Sequence, residues 1–144
     1  MREYLIVANK TLPSEALLNE VRRRRVFGPA QYHVVVPASH PTRTLTWLEA
    51  TDRAAAQARL DALLRSLALE GVPASGAIGD ANPMIAVAEA LRTHTPDEVI
   101  VSTLPARVSR WLRQDLPHRL KSTFAVVVTH VEMIEVEVGA SVAA

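Results

Sequence analysis

The sequence predicts an open, doubly wound α/β fold, and three observations point to it. First, short apolar runs recur along the chain, at Tyr4–Ala8, Tyr32–Val36, Val99–Val101 and Phe124–Thr129. They are continuous rather than alternating, as in parallel strands covered on both faces. Second, segments with helical apolar spacing separate these runs. Strands alternating with helices imply a parallel sheet with right-handed crossovers. Third, the 144 residues are 49% hydrophobic and 22% charged, with no repeat or linker, which suits one domain with a proper core. Aromatic residues make up only 4%, so Val, Leu, Ile and Ala must fill that core.

The elements follow in order. Tyr4–Ala8 reads as the first strand and Asn9-Lys10-Thr11 as its carboxyl-end loop. Pro13-Ser14-Glu15 opens a helix, because Pro suits the first turn and an acid suits the positive helix start. Leu17, Leu18 and Val21 form its apolar stripe, and Gly28-Pro29 stops it. Tyr32–Val36 is the second strand, ended by Pro37, and Ala38–Leu48 is a loop. Glu49–Glu70 is the longest helix pattern, with Ala54, Ala58, Leu60, Leu63, Leu64, Leu67 and Ala68 expected inside and Gly71 as its stop. Val72–Ile78, broken by Pro73 and Gly76, reads as a third strand at a sheet edge.

Gly79–Pro83 turns into a helix from Met84 to about His94, with Ile85, Val87, Ala88 and Leu91 at helical spacing. Val99–Val101 is the fourth strand, followed by the loop Ser102–Pro105 and a helical segment from Ala106. Helix or loop runs on through Leu116–Leu120, and Phe124–Thr129 is the fifth strand. Ile134–Val138 alternates apolar and acidic residues, the period of a half-exposed strand, and Gly139–Ala144 reads as a tail.

Composition narrows the function. A net charge of +1 gives no global attraction to nucleic acid or to an anionic membrane. The absence of cysteine excludes disulfides, thiolate metal sites and Cys nucleophiles, and it fits a cytoplasmic chain. Tyr4–Ala8 is too short for a signal-peptide core, and no run approaches the roughly 20 apolar residues of a membrane span. Abundant Ala and Arg, with Lys only at positions 10 and 121, suggest GC-rich bacterial coding.

Four pieces of this layout, in order, resemble the universal stress protein family over roughly residues 3–130. Leu5–Ala8 with Asn9-Lys10-Thr11 is similar to the family's opening strand and Asp-Gly-Ser loop. Gly79-Asp80 before Pro83 is similar to its Gly-Asp-Pro turn. Asp97–Val101 is similar to its Asp-Leu-Ile-Val strand. Ser109–Leu112, Arg119-Leu120 and Phe124–Val128 follow its last helix and strand. Nucleotide-binding members carry Gly-x2-Gly-x9-Gly-Ser/Thr after the fourth strand. Here the matching positions, allowing one deleted residue, are Ser102, Pro105, Gln114 and Asp115. Pro105 lacks an N–H, Asp115 repels phosphate, and Asn9 stands where the family has Asp. The resemblance therefore implies no ATP binding in the usual manner. It also implies a homodimer through the last strand, carried here by Val126, Val128, Ile134, Val136 and Val138. The alternative for Ile134–Val138 is a sixth strand within the same chain.

Few residues suggest chemistry. Ser102 and Thr103, with Asn9 and Val36, are the candidate pocket for an adenine nucleotide such as ATP or AMP; the plainer expectation is that Ser102 and Thr103 cap the loop. If Leu104 folds inward, it plugs that pocket. Ser102 lacks a G-x-S-x-G setting for a nucleophile. His33, His40, His94, His118 and His130 form no H-x-x-x-H arrangement, so no metal site is expected. Asp80 reads as a turn and cap residue. Arg22–Arg25, with Arg107, Arg110 and Arg113, reads as a solvated basic cluster at a helix end rather than a nucleic-acid face. Trp47 and Trp111 are candidates to cover the core.

The resulting expectation is an open five-stranded parallel sheet of order 3-2-1-4-5, with one domain at residues 1–130 and an extension at 131–144. The function expected is that of a cytoplasmic, universal-stress-like regulatory or adaptor protein in bacterial stress physiology. It is not an enzyme, uses no cofactor, and acts on a protein partner of unknown identity. The rival reading is an adenine-nucleotide sensor with an altered pocket.

Overall fold

The structure, a computed structural model, describes residues 1–8, 14–38, 46–105, 109, 111 and 115–133, with 46–52 as backbone alone. Strands β1 (Arg2–Ala8), β2 (Ala30–Pro37), β3 (Ala74–Gly79), β4 (Glu98–Thr103) and β5 (Val128–Glu132) form one sheet. Its order is β3-β2-β1-β4-β5 and every pairing is parallel, as the sequence predicts. The described helices are α1 (Glu15–Arg23), α2 (Thr46–Leu69), α3 (Pro83–Ala90) and α4 (Leu116–Phe124). Arg24–Phe27 continue α1 as a 3-10 turn.

The continuous apolar strands are explained by two cores, one on each face. Ile6, Val34 and Ile100 pack with Leu17 and Val21 of α1 and Leu60, Leu63 and Leu67 of α2. Leu5, Val7, Val35, Val99 and Val101 pack with Ala86 and Val87 of α3, Trp111, and Leu116 and Leu120 of α4. Successive strand residues point to opposite faces, so both parities must be apolar. Trp111 is buried, as expected of a core cover, and Trp47 lies outside the residues whose side chains are described.

Local chemistry fixes the helix ends. Ser14 Oγ accepts a hydrogen bond from the Leu17 N–H at 3.1 Å, capping α1. Gly71 adopts φ 77°, its N–H donates to the Ala68 carbonyl, and the Val72 N–H donates to the Leu67 carbonyl. This paired closure of α2 needs a left-handed residue, which glycine supplies without a Cβ clash.

Three expectations require correction. β5 begins at Val128, not Phe124: Phe124 closes α4, and Ala125–Val127 link the helix to the strand. Leu116 and Leu120, four apart, both go into the core, and Ala125 at φ 52° ends the helix. Burial of that stripe carries the helix through Phe124, whose own strand propensity is overridden. In α2 the inward stripe is Ala56, Leu60, Leu63 and Leu67, while Ala54, Ala58 and Ala68 are exposed. The large leucines set the helix rotation, and the alanines adapt to it. In α3, Ile85 is exposed and Ala86 and Ala90 face inward. The helix approaches the sheet closely: a Cβ on Gly79 would stand 2.8 Å from the Ala86 Cβ, so position 79 has no room for a side chain and α3 faces it with alanine.

Candidate functional site

The strand order reverses between β1 and β4, and in open α/β sheets ligands bind at the carboxyl ends beside that reversal. At this edge Ala8 stands opposite Ser102. Ser102 and Thr103 are both buried, closing β4. Strand alternation places Ser102 on the face of Ile100, toward α1 and α2, and Thr103 on the face of Val101. Thr103 Oγ1 lies 2.8 Å from His130 Nε2, the residue paired with Val101 in register. His130 is thus inside β5, not beyond it. Val36 is a core residue packed with Ile6 and Ile100 on the α1 and α2 face. Of the four predicted pocket residues, the fold sets Val36 and Ser102 on one face and Thr103 on the other, and Asn9 lies outside the described residues. Leu104 is half-buried, and the Pro105 carbonyl accepts from the Ser109 N–H at 2.9 Å. Asp80 does form the expected turn, accepting from the Asn82 N–H, but Asn82 is the cap that receives the Met84 N–H.

The amino end of the sheet carries a different set of groups, which sequence reasoning did not assemble. Arg24 is 7% exposed, and its Nε and Nη2 donate to the two Glu98 carboxylate oxygens at 3.0 and 2.6 Å. Its Nη1 also reaches Glu20 at 2.7 Å. Burial pushes the Glu98 carboxyl up, but hydrogen bonds from Arg24 and from the Thr129 hydroxyl outweigh it and hold the group below the usual carboxylate range. Tyr32 stacks on Tyr4 with ring centroids 5.0 Å apart, and burial pushes its hydroxyl up to about 12. The Arg24 guanidinium lies 5.9 Å from the Tyr4 ring.

The arginine cluster is solvated at Arg23 and Arg25 as expected, but Arg24 is buried and all four arginines are ion-paired. Arg22 and Arg25 both pair with Glu70, at 2.6 and 2.9 Å, and Arg23 pairs with Glu20 at 3.2 Å. Glu20 lies on α1 itself, within one turn of Arg23 and Arg24, whereas Glu70 and Glu98 are brought to the arginines by the tertiary fold. Arg107, Arg110 and Arg113 lie outside the described residues.

Beside this network lies a cavity of about 270 Å³, lined by Glu3, Gln31, His33, Ser75, His94 and Pro96 among others. His33 and His94 stack across its wall with ring centroids 3.9 Å apart. Burial, then the neighbouring His94, pushes the His33 imidazolium down from its ordinary range. Nothing in the sequence pairs these two residues; β2 and the α3–β4 turn meet only because the sheet is wound. Among the described residues no three His, Cys, Asp or Glu side chains are placed to hold a metal ion, and no helix is long and apolar enough to cross a membrane.

Fold and edge geometry together define an open, doubly wound α/β protein. Compared with protein-family models and with curated proteins, the chain matches none.

Proposed function

We propose that this protein is a universal-stress-like regulatory or adaptor protein of bacterial stress physiology, acting in the cytoplasm without catalysing a reaction. The reading holds that it does not bind ATP in the family's usual way. The observation that carries it is the carboxyl end of β4. The Thr103 hydroxyl there is committed to His130, and Ser102–Pro105 contains no glycine. A phosphate cradle needs backbone N–H groups that can approach the anion closely, and Pro105 has none to give. The partner surface in this reading is the outer edge of β5, which has no neighbouring strand among the described residues. Unpaired strand edges recruit other strands, so a second copy of the chain, joined through β5 and Ile134–Val138, is the proposed first partner. A further protein partner then receives the signal.

The alternative is an adenine-nucleotide sensor built on Asn9, Val36, Ser102 and Thr103. It is favoured by the position of Ser102 at the β1–β4 reversal. A thermal-shift titration with ATP, AMP and cyclic AMP, with and without magnesium, separates the two. A ligand of the folded state adds about 2.7 kcal/mol of stability at a hundred times its dissociation constant. The adaptor reading expects no shift at millimolar nucleotide. A dose-dependent rise would replace it with the sensor.

A further inference from the structure

His33 comes from the middle of β2 and His94 from the turn after α3. Their rings lie face to face, with planes 14° apart and centroids 3.9 Å apart. Two imidazoles in this arrangement cannot grip one metal ion, because their lone pairs run side by side in parallel planes. What they can do is compete for protons. His94 Nδ1 lies 3.3 Å from the Ala90 carbonyl oxygen and 3.0 Å from Thr93 Oγ1. The carbonyl only accepts, whereas the Thr93 hydroxyl can donate or accept, so these two groups hold the ring in place in either tautomer. His33 Nδ1 lies 2.8 Å from Ser75 Oγ.

We propose that the His33–His94 stack is an acid-operated latch on the amino-end cavity. It holds the α3–β4 turn against the sheet while at most one ring is charged, and it releases that turn when the second ring is protonated.

The surrounding groups support this assignment. Like charges at stacking distance repel strongly where water is partly excluded. β1 contributes Glu3 and Tyr4, and β2 contributes Tyr32. β3 brings no ionisable side chain, since its sequence is ASGAIG. The α3 end and the turn carry Glu89 and Arg92, both exposed, and lead to Asp97. The Asp97 carboxylate accepts the Glu3 N–H at 2.9 Å, and the Glu3 carboxylate accepts from Gln31 Nε2 at 2.6 Å. Glu3 is thus the one carboxylate among the residues lining the cavity, and it is held by Gln31 rather than by either imidazole.

The moving part is also defined. His33 is fixed in the ladder between Leu5 and Ser75. His94 hangs on a short turn in which the Thr93 and His94 N–H groups share the Ala90 carbonyl. His94 and Pro96 line the cavity, so displacement of this turn opens it. The sign follows from His33, whose imidazolium is disfavoured in the closed form. The closed form is fully favoured above the ordinary histidine range, and its advantage falls as pH drops below about 6.5.

Imidazole proton NMR titration of the wild-type protein tests the latch, together with amide exchange at Arg92, Thr93 and His94. His33 is expected to titrate below the ordinary range and to move upward in His94→Gln, which keeps a polar side chain and removes the competing charge. Amide protection in the turn is expected to fall roughly tenfold between about pH 7.5 and pH 5 in the wild type, and to stay flat in His33→Phe. Equal His33 midpoints in wild type and His94→Gln, or protection independent of pH, would overturn the proposal. Should a variant fail to fold, wild-type rings that titrate as two independent groups would overturn it as well.

Discussion

At the carboxyl end of the sheet Thr103 pairs with His130, and Asp80 and Asn82 accept from nearby backbone N–H groups. At the amino end, charged and titratable groups gather into a network. Thr103 meets one partner, His130, and Ser14 caps one helix. At the opposite end Arg24 alone spans α1, through Glu20, and β4, through Glu98, which in turn accepts from Thr129 of β5. The difference teaches that the fold's usual binding edge and the richest chemistry of a particular chain need not coincide. The parallel winding brings strand tips together at one end. At the other it brings the ends of helices onto the starts of strands, and there basic helix ends meet acidic strand starts.

The comparison can be broken most sharply at Glu98. Removing one member of a buried pair leaves the other charge without compensation, so Glu98→Ala is expected to cost about 3 kcal/mol in denaturant unfolding. Replacing both members, as Arg24→Met with Glu98→Leu, should recover most of that loss. The pH dependence has a defined sign. Glu98 is held below the usual carboxylate range, so its stabilisation is present above about pH 4.5 and is lost as pH falls through the lowered value. The Glu98→Ala variant should lack that part of the acid slope. A wild-type and variant pair with identical acid unfolding profiles would show that the amino-end network is not coupled to folding.

Smaller effects are expected at the other end. Ser14→Ala removes the cap of α1 and should cost about 1 kcal/mol, read as a lower denaturation midpoint with an unchanged slope. Thr103→Val keeps the shape of the side chain. His130 is exposed, so water can take over its ring nitrogen. The expected loss is about 0.5–1 kcal/mol. A cost near that of Glu98→Ala would mean the Thr103–His130 contact anchors more than one hydrogen bond, and the two ends would no longer differ in kind.

Much of this was legible in the sequence. The strand count, the alternation with helices and the edge position of β3 follow from apolar runs, Pro73, Gly76 and Gly71. The stop of α2 was readable because only a residue at ease at positive φ closes a helix in that way. The start of β5 was not readable. Phe124–Val128 has strand-like residues, but Leu116 and Leu120 reach the core four residues apart and carry the helix to Phe124, and Ala125 at positive φ separates it from the strand. The rotation of α3 was hidden for a similar reason. Ile85 outranks Ala86 in hydrophobicity, but beside Gly79 there is room only for alanine.

By itself, then, the sequence determined the α/β class, because a strand buried on both faces needs an unbroken apolar run and a helix needs a 3.6-residue period. Both are local patterns written along the chain. The tertiary structure alone decided the pairing of Arg22 and Arg25 with Glu70, that of Arg24 with Glu98, and the stacking of His33 on His94. These depend on which segments the sheet order brings side by side. Ion pairs and ring stacks act over a few ångströms of space, so partners distant along the chain carry no mark in the linear sequence.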